Sequence, residues 1–326
     1  MSDPPIGVLV MAYGTASGPD DIERYYTDIR GGRTPSHEHL QALKDRYAAI
    51  GNVFPLLEIT RAQAEGIVER LNREADADGF RSYLGMKHSE PFIPEAVELM
   101  RADGVERAVG VVMAPHWSGM SVETYVERAQ LAANVDGGGP RFTFIRSYHD
   151  HPAFIAFLAE RVAGALARLS TEERANVTVV FSAHSLPVRT LEDGTQRCKT
   201  CDCDASCRYR DGLQQTADLV AARLSLDDYL IAWQSAGRTN DPWWGPPIER
   251  VIEEAARAGR DAVVVCSAGF VADHLEILYD LDIEARELAD GAGIRFERTE
   301  MPNADPEYLD VLAIIVSEHL AGARAG

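Results

Sequence analysis

The sequence predicts an α/β protein of two Rossmann-like domains, each a parallel sheet flanked by helices, with an active-site cleft between them. Three observations carry this. Short apolar runs rich in β-branched residues, such as 7–13 (GVLVMAY) and 177–181 (VTVVF), alternate with helical segments along the chain, as in parallel sheets covered on both faces. The 326 residues exceed what one core usually holds. The halves can also be superposed: VLVMAYGT (8–15) lies on VVFSAHSL (179–186), and VVMAPHWSGMSVETY (111–125) on VVCSAGFVADHLEIL (264–278). That alignment sets Tyr13 opposite His184 and Glu123 opposite Glu276. The expected division is an N-terminal domain over 1–146 and a C-terminal domain over 147–300 with a cysteine insert at 198–207. A last segment, 301–326, is expected to pack as a helix on the N-terminal domain.

Each element has a local reason. Gly14 and Thr15 break the first strand, Asp20 and Asp21 open a helix to about Arg30, and Gly31 and Gly32 end it. Ser36 caps a second helix to about Ala49, Gly51 and Pro55 mark a loop, and 61–73 is a third helix. Strands near 80–86, 107–113 and 141–146 then alternate with helices near 91–102 and 121–135. The second half runs through a helix at 152–168, a strand from 177 and the cysteine segment. It continues with a helix at 209–224, a strand at 229–234, a helix at 246–258 and a strand at 261–266. An acidic helix at 273–289, a short strand at 294–297 and a helix at 306–321 complete it. Pro187 has no N–H, so the strand from 177 must stop near Ala183, and His184 stands at its carboxyl tip. Ligands collect at such tips in open α/β sheets.

Charge narrows the partners. Lys and Arg number 32 against 51 Asp and Glu, a net charge of −19. Such a surface repels nucleic acid and anionic membranes and attracts cations. No apolar run approaches the roughly 20 residues that span a bilayer, and the first residues lack the basic start of a signal peptide. A cytoplasmic protein without integral membrane association is expected. Neither GxGxxG nor GxxxxGK[ST] occurs, so the layout carries no nucleotide fingerprint.

Several residues carry chemistry. A neutral imidazole such as His184 binds divalent metal and accepts a proton near neutral pH. Glu276, Asp280 and Glu284 follow at i, i+4 and i+8, which lines three carboxylates along one helical face among apolar neighbours. Cys198, Cys201, Cys203 and Cys207 form C-x2-C-x-C-x3-C, a metal-binding spacing that suits zinc and iron–sulfur alike. Their segment has little apolar content, so a metal would be its core. Cys266 lies alone. Arg24, Arg30, Arg33, Lys44, Arg46 and Arg61 interleave with Tyr25, Tyr26 and Tyr47, a pattern suited to carboxylate recognition. Lys87, His88 and His116 close strands, and DPWWGP (241–246) offers a flat apolar wall.

Taken together, VMAYGT, DIERYYTDIRGGR, LKDRYAAIG, ITRAQAE, GMKHSEPFI, SAHSLP, WQSAGRTNDPWWGP and GFVADHLEILYD resemble the ferrochelatases in order and over nearly the whole chain. The compact form without a C-terminal extension is similar to the monofunctional coproporphyrin III enzymes of Gram-positive bacteria. The resemblance implies a chelatase-like fold and a lyase of haem biosynthesis that inserts ferrous iron into coproporphyrin III. It implies His184 and Glu276 as the catalytic, metal-binding pair and Tyr13 as a ligand from the opposite face. It further implies Arg30, Arg46, Tyr47 and Tyr125 as porphyrin contacts. The family often has serine where this chain has Phe54. The four cysteines resemble the [2Fe–2S] version of the family, which favours that cluster over zinc. Asp280 and Glu284 would relay metal or protons. The expected partners are porphyrin and ferrous iron, with transient contacts to other haem-pathway enzymes. Rival readings are a chelatase for protoporphyrin IX or another metal, a haem-binding or delivery protein using Tyr13, and a zinc-stapled interaction module.

Overall fold

The structure, a computed structural model, describes residues 4–75, 79–200, 207–237 and 239–325. Four parallel strands build the first sheet: β1 (Ile6–Ala12), β2 (Phe80–Met86), β3 (Arg107–Val112) and β4 (Arg141–Ile145), in the order β2-β1-β3-β4. The chain then forms β5 (Val177–His184) and a small antiparallel hairpin of β6 (Val188–Thr190) and β7 (Gln196–Cys198). It continues with β8 (Leu230–Gln234), β9 (Ala262–Cys266) and β10 (Arg295–Arg298). The second sheet is parallel, in the order β10-β9-β5-β8. Counted within each half, both sheets run second-first-third-fourth. The superposition of the halves is therefore one of topology: Tyr13 follows β1 as His184 ends β5.

Every residue of β1 and β9 is buried, because helices cover both faces of each sheet. Alternate residues serve different cores. Leu9 and Met11 face Ile93, Val97 and Val126. Val8 and Val10 share a core with Phe154 and Tyr308, and that same core takes in Val179 and Phe181 of β5. Helices Pro152–Ala167 and Pro306–Ala325 thus bury apolar surface from both halves at once. Gln63 adds a polar tie, donating from Nε2 to the carbonyls of Val271 (3.1 Å) and Asn303 (2.8 Å).

Most elements lie where periodicity and breakers place them. The third helix starts earlier, at Leu56, because Pro55 is tolerated just ahead of a first turn and its carbonyl accepts the first helical bond from Ile59. A short helix at Thr171–Ala175 is added by a capping box of Ser170 and Glu173. The larger difference is the acidic helix expected over 273–289. It divides into Leu275–Leu278, a π-helical turn at Asp280–Ala285 and Arg286–Ala292. A π turn inserts an extra residue, so Glu276, Asp280 and Glu284 do not share one straight α-helical face. The segment of low apolar content before Cys198 forms a small hairpin, Val188–Thr190 with Gln196–Cys198. Cys201 and Cys203 lie outside the described residues.

Close approach fixes one glycine beside the site. A Cβ on Gly269 would stand 2.4 Å from the Cβ of Ala183, one residue before His184. Its N–H donates to the Ser182 carbonyl at 3.0 Å, so the loop after β9 cannot simply back away. Gly269→Ala should lower stability by about 2 kcal/mol through overpacking, seen as a lower urea midpoint; an unchanged midpoint would show that the loop yields freely.

Candidate active site

His184 occupies the carboxyl tip of β5, in register with Gln234 of β8. The ladder ends in a buried polar knot. Ser185 N–H donates to the Gln234 carbonyl (2.7 Å), and the hydroxyls of Ser182 and Ser267 both donate to Gln234 Oε1 (2.7 Å each). Glu276 enters from the loop after β9, in the short helix Leu275–Leu278, and its Oε2 lies 2.9 Å from His184 Nδ1. A carboxylate only accepts, so Nδ1 carries the hydrogen of this bond and Nε2 is left for other chemistry.

Burial opposes charge on both partners, and their mutual attraction overcomes it. Burial pushes the His184 imidazolium toward neutrality, but the field and hydrogen bond of Glu276, with Asp280 behind, raise its pKa above the usual histidine value. Burial raises the Glu276 carboxyl, while His184 and, further off, His274 and Ser235 bring it down to about 2. The two side chains still keep 34% and 31% of their surface open to water. Both groups are thus desolvated yet partly reachable by solvent.

Asp280 stands deeper, 4% exposed. Burial first, then Glu276 and Glu284, push its carboxyl up to about 7 against the opposing pull of Ser235 and Arg46. Ser235 Oγ donates to Asp280 Oδ2, while Oδ1 has no hydrogen-bond partner. Arg46 reaches across from the first half to Asp280 (3.6 Å) and Glu284 (3.7 Å), with its guanidinium 4.8 Å above the Tyr279 ring. The π turn presents this acidic row, despite the broken α-helical register.

The first half supplies the other residues. Tyr13 keeps 41% of its surface open, yet burial, Glu276 and Asp28 raise its hydroxyl pKa. Its ring lies 4.6 Å from that of His88, whose Nδ1 is 2.6 Å from Asp28 Oδ1. Lys87 lies over the rings of Tyr13 (6.0 Å) and Tyr125 (5.1 Å), and burial, then Arg128, lowers its ammonium to about 8. Arg30, half-buried, caps the helix Ile22–Ile29 and donates to the Arg33 carbonyl. Tyr47 and Tyr125 are 2% and 3% exposed. Tyr47 stacks on Phe54 and shares a bond with Thr15 Oγ1 (3.4 Å), and Tyr125 packs among Leu9, Met11 and Val126. Both stand behind the wall. Glu123, the topological counterpart of Glu276, is held by Trp117 Nε1 and Arg146 Nε at 3.2 Å each.

Ser235 is the participant that sequence patterns miss. It follows β8 with φ of +57°, and that left-handed turn aims its hydroxyl at Asp280. Lys87 and His88 were marked only as strand-end residues.

In the cysteine segment, the Cys198 and Cys207 thiols are buried and face each other at 3.0 Å, beyond the ~2.05 Å of a disulfide. Trp244 Nε1–H donates to Cys198 Sγ at 3.3 Å. Among the described residues, no group of three or more His, Cys, Asp or Glu is arranged to hold a metal.

Asp280 gives a pH prediction. Its folded pKa, about 7, lies above the ordinary 3.8, so between these values the unfolded chain gives up the proton first. Stability from this group is complete below about pH 4 and falls as pH rises toward 7. Asp280→Asn removes that loss. The variant should exceed the parent by about 4 kcal/mol at pH 8 and by less than half of that at pH 5 in urea denaturation. A pH-independent difference would contradict the assigned pKa.

Comparison with known proteins places the family and the fold. The family profile described as Ferrochelatase matches residues 5–320. The coproporphyrin III ferrochelatase of Anoxybacillus flavithermus is 45% identical over 322 residues, 98% of each chain. That of Bacillus subtilis is 43% identical over 98% of this chain and 99% of its own. Among solved structures, SirB from Bacillus subtilis with Fe3+ shares the fold with a TM-score of 0.58 at 11% identity, covering 98% of each chain. A family match across nearly the whole length, joined to relatives above 40% identity, shows that this chain belongs to the ferrochelatase family.

Proposed function

We propose that this chain is a lyase of haem biosynthesis that inserts Fe(II) into coproporphyrin III to give its iron complex. The observation that carries the reading is the His184–Glu276 pair, hydrogen-bonded at 2.9 Å and still partly open to water. The near-full-length relatives that bear this activity's name support the substrate.

Insertion requires that two pyrrole N–H protons leave and that iron shed its water. In its neutral form, with Nδ1–H held by Glu276, His184 presents an unprotonated Nε2 that would take a pyrrole proton or touch the metal, and Glu276 steadies the imidazolium so formed and offers an oxygen. One imidazole and one carboxylate bind Fe(II) weakly enough to release it into the ring. Asp280, with a pKa of about 7, exchanges protons near neutral pH, and with Glu284 it would pass cations or protons between bulk water and the pair. Tyr13 meets the macrocycle from the other wall. Arg30 and Arg46 offset the propionates, although Arg46 already faces Asp280 and Glu284. Tyr47 and Tyr125, being buried, would shape the porphyrin wall from behind.

Cys198, Cys201, Cys203 and Cys207 would hold a [2Fe–2S] cluster. Two of these thiols, buried face to face with an indole N–H donated to one, suit thiolates bound to metal. When bound, the cluster supplies a core to a segment that has little of its own. Clustered thiols kept for metal fit a reducing compartment, the cytoplasm. The domain boundaries we propose are 1–146, 147–300 and a terminal helix over 301–326.

His184→Ala should bind coproporphyrin III as the parent does and lose insertion by about 100-fold or more, read anaerobically from the porphyrin spectrum. Full turnover in that variant would refute the assignment. Protoporphyrin IX assayed alongside should be the poorer substrate. Stoichiometric iron and sulfide with visible absorption in purified protein would support the cluster; a colourless zinc protein would refute it.

A further inference from the structure

The cysteine segment and the catalytic imidazole are joined by two short chains of contacts. Cys207 precedes the helix Arg208–Leu224. Two residues on, the Tyr209 hydroxyl donates to the backbone carbonyl of His184 at 2.9 Å, where β5 ends its pairing with β8. The second chain starts at Cys198, whose Sγ accepts the Trp244 indole N–H. The Trp244 carbonyl in turn accepts from Ser185 Oγ (2.8 Å), and its N–H donates to the Leu186 carbonyl (3.1 Å). The chains meet at Trp233, which lies beside Ala183 in the sheet. Its ring is 5.6 Å from that of Tyr209 and stacks on Trp244 at 6.0 Å. Trp233, Trp244, Tyr209, Cys198 and Cys207 are all buried, so movement of one must displace another.

We propose that Tyr209 is a positioning residue for His184, acting through the hydrogen bond from its hydroxyl to the strand-tip carbonyl; this rests on the role proposed for His184 above. His184 Nδ1 is held by Glu276, so the angle at which Nε2 is presented depends on the backbone beneath it. Tyr209 grips that backbone at the His184 carbonyl, and Trp244 grips it at Ser185 and Leu186.

The test uses Tyr209→Phe in the full chain, which keeps the ring against Trp233 and loses only the hydroxyl. The expected result is a rise in KM for Fe(II) or a fall in kcat of about five- to tenfold, with KM for coproporphyrin III and the melting temperature near the parent's. A merely structural role would lower the melting temperature and scale kcat with the folded fraction, leaving KM for Fe(II) unmoved. Parent values of kcat and KM would overturn the positioning role. A second probe is the ring 15N resonance of His184 in histidine-labelled protein, assigned with His184→Ala. It should shift in Tyr209→Phe, and an unchanged resonance would overturn the positioning role; if His184→Ala itself kept full insertion, the role of His184 would fall and not the contact.

Discussion

The hydrogen bond between His184 Nδ1 and Glu276 Oε2 is the constraint around which the rest is arranged. Two ionisable groups taken out of water would each shed charge if alone, since burial favours the neutral form of both. Set 2.9 Å apart, each shifts the other toward its charged form: Glu276 raises the His184 pKa, and His184 helps bring the Glu276 carboxyl down to about 2. This requires His184 at the tip of β5 and Glu276 just past β9, neighbouring strands in one parallel sheet. The doubly covered sheet, the buried knot of Ser182, Ser267 and Gln234, and the close approach of Gly269 to Ala183 all fix that separation.

Around the pair the charges are graded. Glu276 is ionised, Asp280 is held near neutrality by burial and by Glu276, and Glu284 is half-open to water against Arg46. In the relay we propose, such a row would ease a cation inward and a proton outward, because no step would bury an uncompensated charge. The net charge of −19 adds a long-range attraction for metal, while Lys87, Arg128 and Arg46 keep positive charge on the side where an anionic macrocycle would lie.

Some of this was legible in the chain and some was not. The strands could be read because parallel strands buried on both faces leave unbroken apolar runs, and Pro187 located His184 at a strand tip without any coordinates. The pairing of Tyr13 with His184 followed from the superposed halves, which proved to share one sheet order. The π turn at Asp280–Ala285 was illegible, because one inserted residue leaves hydrophobic spacing almost unchanged. Ser235 was missed because its left-handed φ comes from the turn after β8 and not from any feature of serine itself. Tyr47 and Tyr125 show the limit of motif transfer: the motif gives the residue, but packing decides that both lie behind the wall. The cysteine spacing reads as a metal site in sequence alone, while the link from Tyr209 to the His184 carbonyl and those from Trp244 to Ser185 and Leu186 required three-dimensional contacts.

The most direct measurement of the central pair is an NMR titration of His184 in the free protein and in Glu276→Gln. If the glutamate charge sustains the imidazolium, the titration midpoint should lie above the usual histidine value in the parent and fall by about one pH unit or more in the variant. A midpoint that stays where it was would mean that Glu276 does not govern the protonation of His184, and the proposed division of labour between the two would be wrong.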